Sequence, residues 1–178
     1  MADKEISLHD AKIFSQIYER YLLIVFRYIC GMTGGPRQEV EDLTAETFFR
    51  AWNKRSQFRG SEQAALGWLL AIARNLVFDT YRRKKLHPEI GFEENWSDLF
   101  FSNQPNPEMQ IIEQEQFQIL WQLLKMLQTE QREIILLRYV FGWQVKEIAQ
   151  LTHCNENTVS VILHRTMKKI QQAWPKDK

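Results

Sequence analysis

The sequence contains little of what a secreted or membrane-spanning protein needs. Its two cysteines, Cys30 and Cys154, lie far apart and in no Cys-x-x-Cys spacing. This argues against a disulfide framework, and we expect two buried, reduced thiols. No segment approaches the roughly 20 apolar residues that span a bilayer, and the charged N-terminus lacks a signal-type apolar core. We therefore expect a cytoplasmic protein without membrane insertion.

Glycine and proline are also scarce, with 7 and 5 residues, and strand-like alternation is rare. Hydrophobic residues make up 44% of the chain and aromatic residues 12%, which permits a packed core and argues against general disorder. Apolar residues instead recur every three or four positions, the period of an amphipathic helix. The sequence therefore predicts an all-α fold, with helices over about 10–32, 37–54, 63–85, 108–127 and 129–140, followed by two short helices within 146–170.

The charges are divided unevenly along the chain. Residues 87–116 hold seven acidic residues and no lysine or arginine, whereas the segments on either side are net basic. Basic lobes favour a polyanion as partner. The acidic stretch contains three prolines, and its aromatic residues indicate that part of it docks on something. We predict two small helical domains, 1–90 and 113–178, joined by an acidic irregular linker, 91–112.

The second helix carries an aromatic residue on its polar side. On a helical wheel the core face holds Val40, Leu43, Thr47, Phe48 and Ala51. The opposite face holds Asp42, Ala45, Glu46, Phe49 and Asn53, with Trp52 at its edge. Either another helix covers Phe49, or its ring is an anchor for a basic partner surface.

The third helix presents two sides. Leu69, Ile72, Ala73 and Leu76 are predicted to be buried. The other side mixes cations with rings: Arg74, Asn75, Phe78, Tyr81, Arg82 and Lys85. Such a mixture suits a single nucleic-acid strand, because cations follow phosphates and rings stack on bases. A solvated charged face is the alternative.

The stretch "KEIAQLTHCNENTVSVILHRTMKKI", residues 146–170, predicts a helix-turn-helix. Asn155 or Asn157 can cap its second helix, and His153 occupies a turn position where this motif commonly has glycine. Val145, Ile148, Ala149, Val159, Ile162, Leu163 and Ile170 face inward. Ser160, Val161, His164, Arg165 and Lys168 project outward, where an exposed Val161 can contact a thymine methyl group. An ordinary αα-hairpin is the alternative.

With these elements in this order, the chain resembles the extracytoplasmic-function (ECF) sigma factors of bacteria. "VEDLTAETFFRAWNKRSQFRG" resembles the family's polymerase-binding helix and the loop after it. "GWLLAIARNLVFDTYRRKK" resembles the helix that meets the melted −10 element. "LQTEQREIILLRYVFGWQVKEIAQLTHCNENTVSVILHRTMKKI" resembles the −35-binding domain.

The resemblance implies recognition rather than catalysis, with no catalytic residue, cofactor or metal. Polymerase binding is implied for Asp42, Leu43, Glu46, Phe49 and Trp52. Binding of −10 DNA is implied for Ser56, Gln57, Phe58, Arg59, Gly60, Asn75, Asp79, Arg82 and Arg83. Binding of −35 DNA is implied for Asn157, Thr158, Ser160, Val161, His164, Arg165 and Lys168. The implied partners are core RNA polymerase, at its clamp and flap regions, promoter DNA and an anti-sigma factor.

Three positions depart from the family pattern: Ala45 replaces a usual glutamine, and Ser160 and Ile162 replace usual cations. The replacement of the cations by Ser160 and Ile162 implies an unusual −35 preference, whereas Ala45 belongs to the polymerase-binding motif. Two other classes of function stay open. One is a repressor or RNA-binding protein that never contacts polymerase. The other is an enzyme built on His153, Cys154 and His164, although these residues have no metal-ligand spacing.

Overall fold

The computed structural model of the protein describes residues 5–6, 8, 10–84 and 118–175. The chain divides into two compact units, residues 1–93 and 94–178. The described elements are helices apart from one pair of two-residue strands, which confirms the predicted all-α class. The acidic linker lies outside the described residues, so its boundaries stay a prediction.

The first unit packs three helices against one another: α1 (Ala11–Thr33), α2 (Arg37–Lys54) and α3 (Glu62–Lys84). Their bounds agree with the predicted ones to within one residue. The N-cap of α1 is Asp10, whose carboxylate accepts a hydrogen bond from the backbone N–H of Lys12 at 2.8 Å. Helix α1 ends at Gly34, which has a left-handed φ of 54° that glycine adopts without a steric cost.

The connection from α2 to α3 is short and structured. A 3₁₀ turn, Arg55–Gln57, follows α2 directly, and strand β2 (Gly60–Ser61) precedes α3. Strand β1 (Glu5–Ile6) pairs with β2 in antiparallel fashion, with Glu5 opposite Ser61 and Ile6 opposite Gly60. The sequence did not predict this pair, because two residues are too few to show a strand period.

A polar contact ties α1 to the start of α3. The Tyr21 hydroxyl donates a hydrogen bond to the backbone carbonyl of Glu62 at 3.2 Å, and Arg20 forms an ion pair with the Glu62 carboxylate. Burial raises the pKa of Tyr21, and the nearby Glu62 carboxylate raises it further. The phenol is therefore neutral at physiological pH and available as a donor.

The second unit contains α4 (described over 118–125), α5 (Thr129–Ile135), α6 (Val145–Thr152) and α7 (Glu156–Ala173). A π-helical turn, Leu136–Val140, continues α5. Arg132 of α5 is buried, and its guanidinium donates to the carbonyls of Leu124 at 3.0 Å and Leu127 at 3.2 Å. The two bonds tie α5 to the end of α4 and the turn after it, where the Leu124 carbonyl also accepts from the Leu127 N–H at 3.2 Å.

Candidate nucleic-acid and partner interfaces

The side of α2 that carries Phe49 is open to solvent within its unit. Phe49 is 61% exposed, Asp42, Ala45 and Asn53 are exposed, and Glu46 is half-buried. The opposite side is buried through Val40, Thr44, Thr47, Phe48 and Ala51. The alternative that another helix covers Phe49 is therefore wrong for the described residues. The ring of Phe49 lies on the same side of α2 as Asp42 and Glu46 and stays accessible to a partner, while the Glu46 carboxylate forms an ion pair with Arg50 at 2.7 Å.

Trp52 and Leu43 lie at opposite edges of this face, and both are half-buried. Trp52 makes an edge-to-face contact with Phe14 at a centroid distance of 5.1 Å. The Arg55 guanidinium lies 3.8 Å from the centroid of the Trp52 indole ring. Arg55 also donates from Nη1 to the Trp52 carbonyl at 2.8 Å. The indole is thus fixed before any partner binds. No periodic pattern in the sequence indicates this arrangement.

The loop after α2 presents polar side chains around one buried ring. Ser56, Gln57 and Arg59 are exposed, and Gly60 is half-buried. Phe58 is only 6% exposed and packs against Trp68 with ring centroids 5.2 Å apart. The expectation that Phe58 is a DNA-contacting residue like its neighbours therefore needs correction, because its ring supports the loop from inside.

Arg59 also has a structural role in this loop. Its Nη1 donates to the carbonyls of Ser56 and Phe58, both at 2.8 Å. These two bonds fold the guanidinium back over the loop while the side chain stays exposed. The two bonds thereby tie the Arg59 side chain to the loop backbone at Ser56 and Phe58.

One side of α3 brings together the four predicted residues beyond this loop. Asn75, Arg82 and Arg83 are exposed, and Asp79 is half-buried. Arg82 forms an ion pair with Asp79, with 3.1 Å between Nη2 and the carboxylate oxygen. The carboxylate thus orients one cation of an exposed polar face.

The rings predicted to interleave with these cations have other contacts. The Arg74 guanidinium lies 4.5 Å from the centroid of the Phe78 ring. The Tyr81 hydroxyl donates to the carbonyl of Met32 at 2.6 Å, which ties α3 to the end of α1. Tyr81 therefore has a structural role, and Lys85 lies outside the described residues.

The second unit contains the predicted helix-turn-helix, formed by α6 and α7. His153 ends α6 with a left-handed φ of 57°, as the replacement of a usual glycine predicts. Asn155 is the N-cap of α7, and its side-chain oxygen accepts from the Thr158 N–H at 2.7 Å. A capping box at Gln144 and Glu147 fixes the start of α6.

The seven residues predicted for −35 binding are all exposed on α7: Asn157, Thr158, Ser160, Val161, His164, Arg165 and Lys168. Val161 is 39% exposed, as predicted. The inner side buries Val159, Leu163, Thr166 and Ile170. Ser160 donates its hydroxyl proton to the Glu156 carbonyl at 2.9 Å, so its oxygen faces outward as an acceptor.

The residues of the alternative enzyme site do not form a ligand cluster. Among the described residues, no group of three or more His, Cys, Asp or Glu side chains is arranged to hold a metal ion. Cys30 is buried, but Cys154 in the turn is exposed, which corrects the expectation of two buried thiols. Over the same part of the chain, no helix is long and apolar enough to cross a membrane.

Comparisons with known proteins match both units. The family described as Sigma-70 region 2 matches residues 17–87, and the family described as Sigma-70, region 4 matches residues 117–170. The ECF RNA polymerase sigma factor BldN of Streptomyces coelicolor is 29% identical over 94% of this chain. The chain spans 62% of the length of BldN.

A second relative and one solved structure agree with these matches. The ECF RNA polymerase sigma factor SigL of Mycobacterium tuberculosis is 25% identical, over 91% of this chain and 89% of its own length. The sigma factor RpoE of Bartonella quintana, solved with the anti-sigma factor NepR, has a TM-score of 0.69. At 23% identity, over 94% of this chain and 99% of that one, this likeness concerns the fold.

Proposed function

Since this chain belongs to the ECF family of RNA polymerase sigma factors, we propose that it binds core RNA polymerase and directs it to promoters by reading a −35 duplex and a melted −10 strand. Its role in transcription initiation is then one of recognition, and the catalytic centre belongs to the polymerase. The observation that carries this proposal is the exposed ring of Phe49 on the side of α2 that also holds Asp42 and Glu46.

The Phe49 face suits a basic, partly apolar surface such as a polymerase clamp. A ring that is accessible before binding and desolvated after it has the properties of an interface hot spot. The two carboxylates favour a positively charged surround and increase the rate of encounter. Leu43 and Trp52 extend the contact at the edges, and the Arg55 stack keeps the indole in place.

The −10 strand is assigned to the loop 56–60 and to the Asn75, Asp79, Arg82 and Arg83 side of α3. Capture of an unpaired base requires donors and acceptors that are already ordered, because unstacking a base costs on the order of a few kcal/mol. The backbone bonds of Arg59 supply that order in the loop. Arg82 and Arg83 are placed to follow phosphates, with Arg82 oriented by Asp79.

The −35 duplex is assigned to the outer face of α7. Arg165 and Lys168 position the helix on phosphates, whereas Asn157, Ser160, Val161 and His164 face base edges. Since the Ser160 hydroxyl proton is used within the helix, its oxygen favours an amino group, as on cytosine or adenine. Val161 favours the methyl group of thymine. Ile162 is half-buried at the edge of this face. Because it replaces a cation that the family usually has, the proposed DNA interface lacks a charged contact at its rim.

The family suggests one further partner and two further contacts with the polymerase. An anti-sigma factor is proposed because the similar RpoE of Bartonella quintana was solved with one. The acidic linker is proposed to follow a basic channel of the polymerase, and the second unit to contact its flap. Glu93, Glu94 and Asp98, which carry much of the linker charge, lie outside the described residues. The proposal includes a cytoplasmic location, where polymerase and promoter DNA are found.

The experiment that tests this function is transcription from a randomised promoter library by core polymerase with and without the chain. We expect transcripts only with the chain, from templates enriched for one −35 and one −10 sequence. Copurification with core polymerase separates this function from that of a repressor. A chain that binds duplex DNA but neither copurifies with polymerase nor supports transcription is a repressor, and the proposal is then wrong.

A further inference from the structure

The loop proposed for the −10 strand is held at its two ends by different means. Its first part is closed internally, by the Arg59 bonds to Ser56 and Phe58 and by the buried Phe58 ring. Its last residue, Gly60, belongs to strand β2 and pairs with Ile6 of β1. The N-terminal segment therefore forms part of the boundary of this loop.

Packing around Gly60 leaves little freedom for this end. A Cβ atom at position 60 would lie 3.0 Å from the Ala64 Cβ and 3.2 Å from the Phe58 ring. The backbone thus passes closely between the supporting ring and the first turn of α3, with β1 alongside. Because glycine has no Cβ, the chain fits into this space beside Phe58, whose ring supports the rest of the loop.

The N-terminal segment is itself anchored. Leu8, two residues beyond Ile6, is fully buried. A buried leucine limits how far the paired strand can move away, because leaving would expose its side chain to water. Strand β1 therefore differs from a chance contact of a loose terminus.

We infer that the segment Glu5–Leu8 is a positioning element for the −10 loop, acting through the backbone pairing of β1 with β2. The inference rests on the proposed function of that loop. One or two net backbone hydrogen bonds correspond to about a tenfold change in the equilibrium between a fixed and a displaced loop. The segment contributes little to the polymerase-binding face, since Phe49 is presented by α2.

A matched pair of double variants tests this role. Adjacent residues of an antiparallel pair alternate between bonded and non-bonded positions, so replacing both removes the ladder donor whichever residue supplies it. Glu5→Pro with Ile6→Pro removes both N–H groups. Glu5→Thr with Ile6→Val changes the same side chains and keeps both donors, with residues that favour strands.

Each isolated chain is measured for its affinity for core polymerase and for amide exchange at Gly60 and Ser61. The holoenzyme formed with each chain is then measured for its affinity for a single-stranded −10 oligonucleotide. For the proline pair we expect faster exchange at the one of these two amides that donates to β1, about a tenfold weaker oligonucleotide affinity and unchanged polymerase affinity. The threonine and valine pair should match the parent chain in all three.

Two results would overturn the inference. One is faster exchange at the amide that donates to β1 with unchanged oligonucleotide affinity, since the loop would then need no support from β1. The other is an equal loss of both affinities, which indicates general unfolding. Asn75→Ala separates a failure of the positioning role of β1 from a failure of the −10 assignment. If it weakens oligonucleotide binding and the proline pair does not, only the positioning role fails; if neither does, the −10 assignment fails with it.

Discussion

Two adjacent phenylalanines of α2 should give opposite results when each is replaced by alanine. Phe48 is buried and contacts Tyr18 with ring centroids 4.8 Å apart, whereas Phe49 is 61% exposed. Phe48→Ala removes a core ring and should cost about 3–5 kcal/mol of unfolding free energy. Phe49→Ala removes a ring already in water and should change stability by no more than about 0.5 kcal/mol.

The expected loss of polymerase binding follows from the same exposure. An aromatic side chain buries about 150–250 Å², so the exposed part of Phe49 offers roughly 100–150 Å² to a partner. At about 25 cal/mol per Å² this area is worth about 3 kcal/mol. Part of that free energy is lost in ordering the interface, and about 2 kcal/mol should remain. Phe49→Ala should therefore weaken polymerase binding by at least about 30-fold.

The assay combines thermal melting with titration of fluorescent chain by core polymerase. Leu23→Ala is the control for loss of an exposed apolar residue, because Leu23 of α1 is 46% exposed. It should change neither the melting temperature nor polymerase binding. A strong drop in the melting temperature of Phe49→Ala would show that the ring is a core residue, and unchanged binding would refute its assignment to the polymerase interface.

The remaining predictions concern promoter opening by the holoenzyme, binding to −35 duplexes and the stability of the chain. Asn75→Ala or Arg82→Ala should reduce permanganate reactivity of promoter thymines, which reports promoter opening, while binding to core polymerase is unchanged. Unchanged promoter opening with both variants would show that this face of α3 is not part of the −10 site. Lys168→Ala should weaken binding to all −35 duplexes nearly uniformly and lower the salt dependence, because it removes a phosphate contact. Val161→Ser should instead cost about 1 kcal/mol of −35 binding free energy at the one position where thymine is preferred. Replacing that thymine by uracil should cost the parent chain about the same. Equal binding of every duplex by the variant and the parent chain would contradict a methyl contact. His153→Gly should raise the unfolding free energy by about 0.5 kcal/mol in chemical denaturation, because relief of the left-handed strain exceeds the entropy of glycine; a lower stability would show that the imidazole has a compensating contact.

Helical periodicity predicted α1, α2 and α3 to within one residue, whereas the helix predicted over 129–140 is α-helical only to Ile135 and continues as the π-helical turn Leu136–Val140. The opposite exposures of Phe48 and Phe49 follow from a helical wheel, because an α-helix has 3.6 residues per turn. Turn and cap residues indicated the break at His153 and a cap at Asn155 or Asn157, and the structure has the cap at Asn155. In these cases the side chain's own chemistry determines its place.

Side-chain positions that depend on tertiary contacts could not be predicted from helical periodicity. The Phe58 ring lies in a loop, where alternation carries no information about burial. Arg132 and Glu133 are buried in α5, although a wheel assigns charged residues to the surface. For Arg132 the cause is a pair of carbonyls at and just beyond the end of α4, which only the folded chain brings near.

The passage from α2 into the loop has a mechanical consequence. Residues 37–59 contain neither glycine nor proline, α2 continues directly into the 3₁₀ turn, and Arg55 lies back on Trp52. This stretch, residues 37–59, therefore moves as one rigid element without a hinge. Inserting one residue near Lys54 would swing the loop by about 100° around the helix axis and advance it by about 1.5 Å. On the proposed function, in which α2 binds polymerase and the loop captures a base, the length of α2 therefore sets the distance between these two contacts, whereas a change of its exposed side chains leaves that distance unchanged.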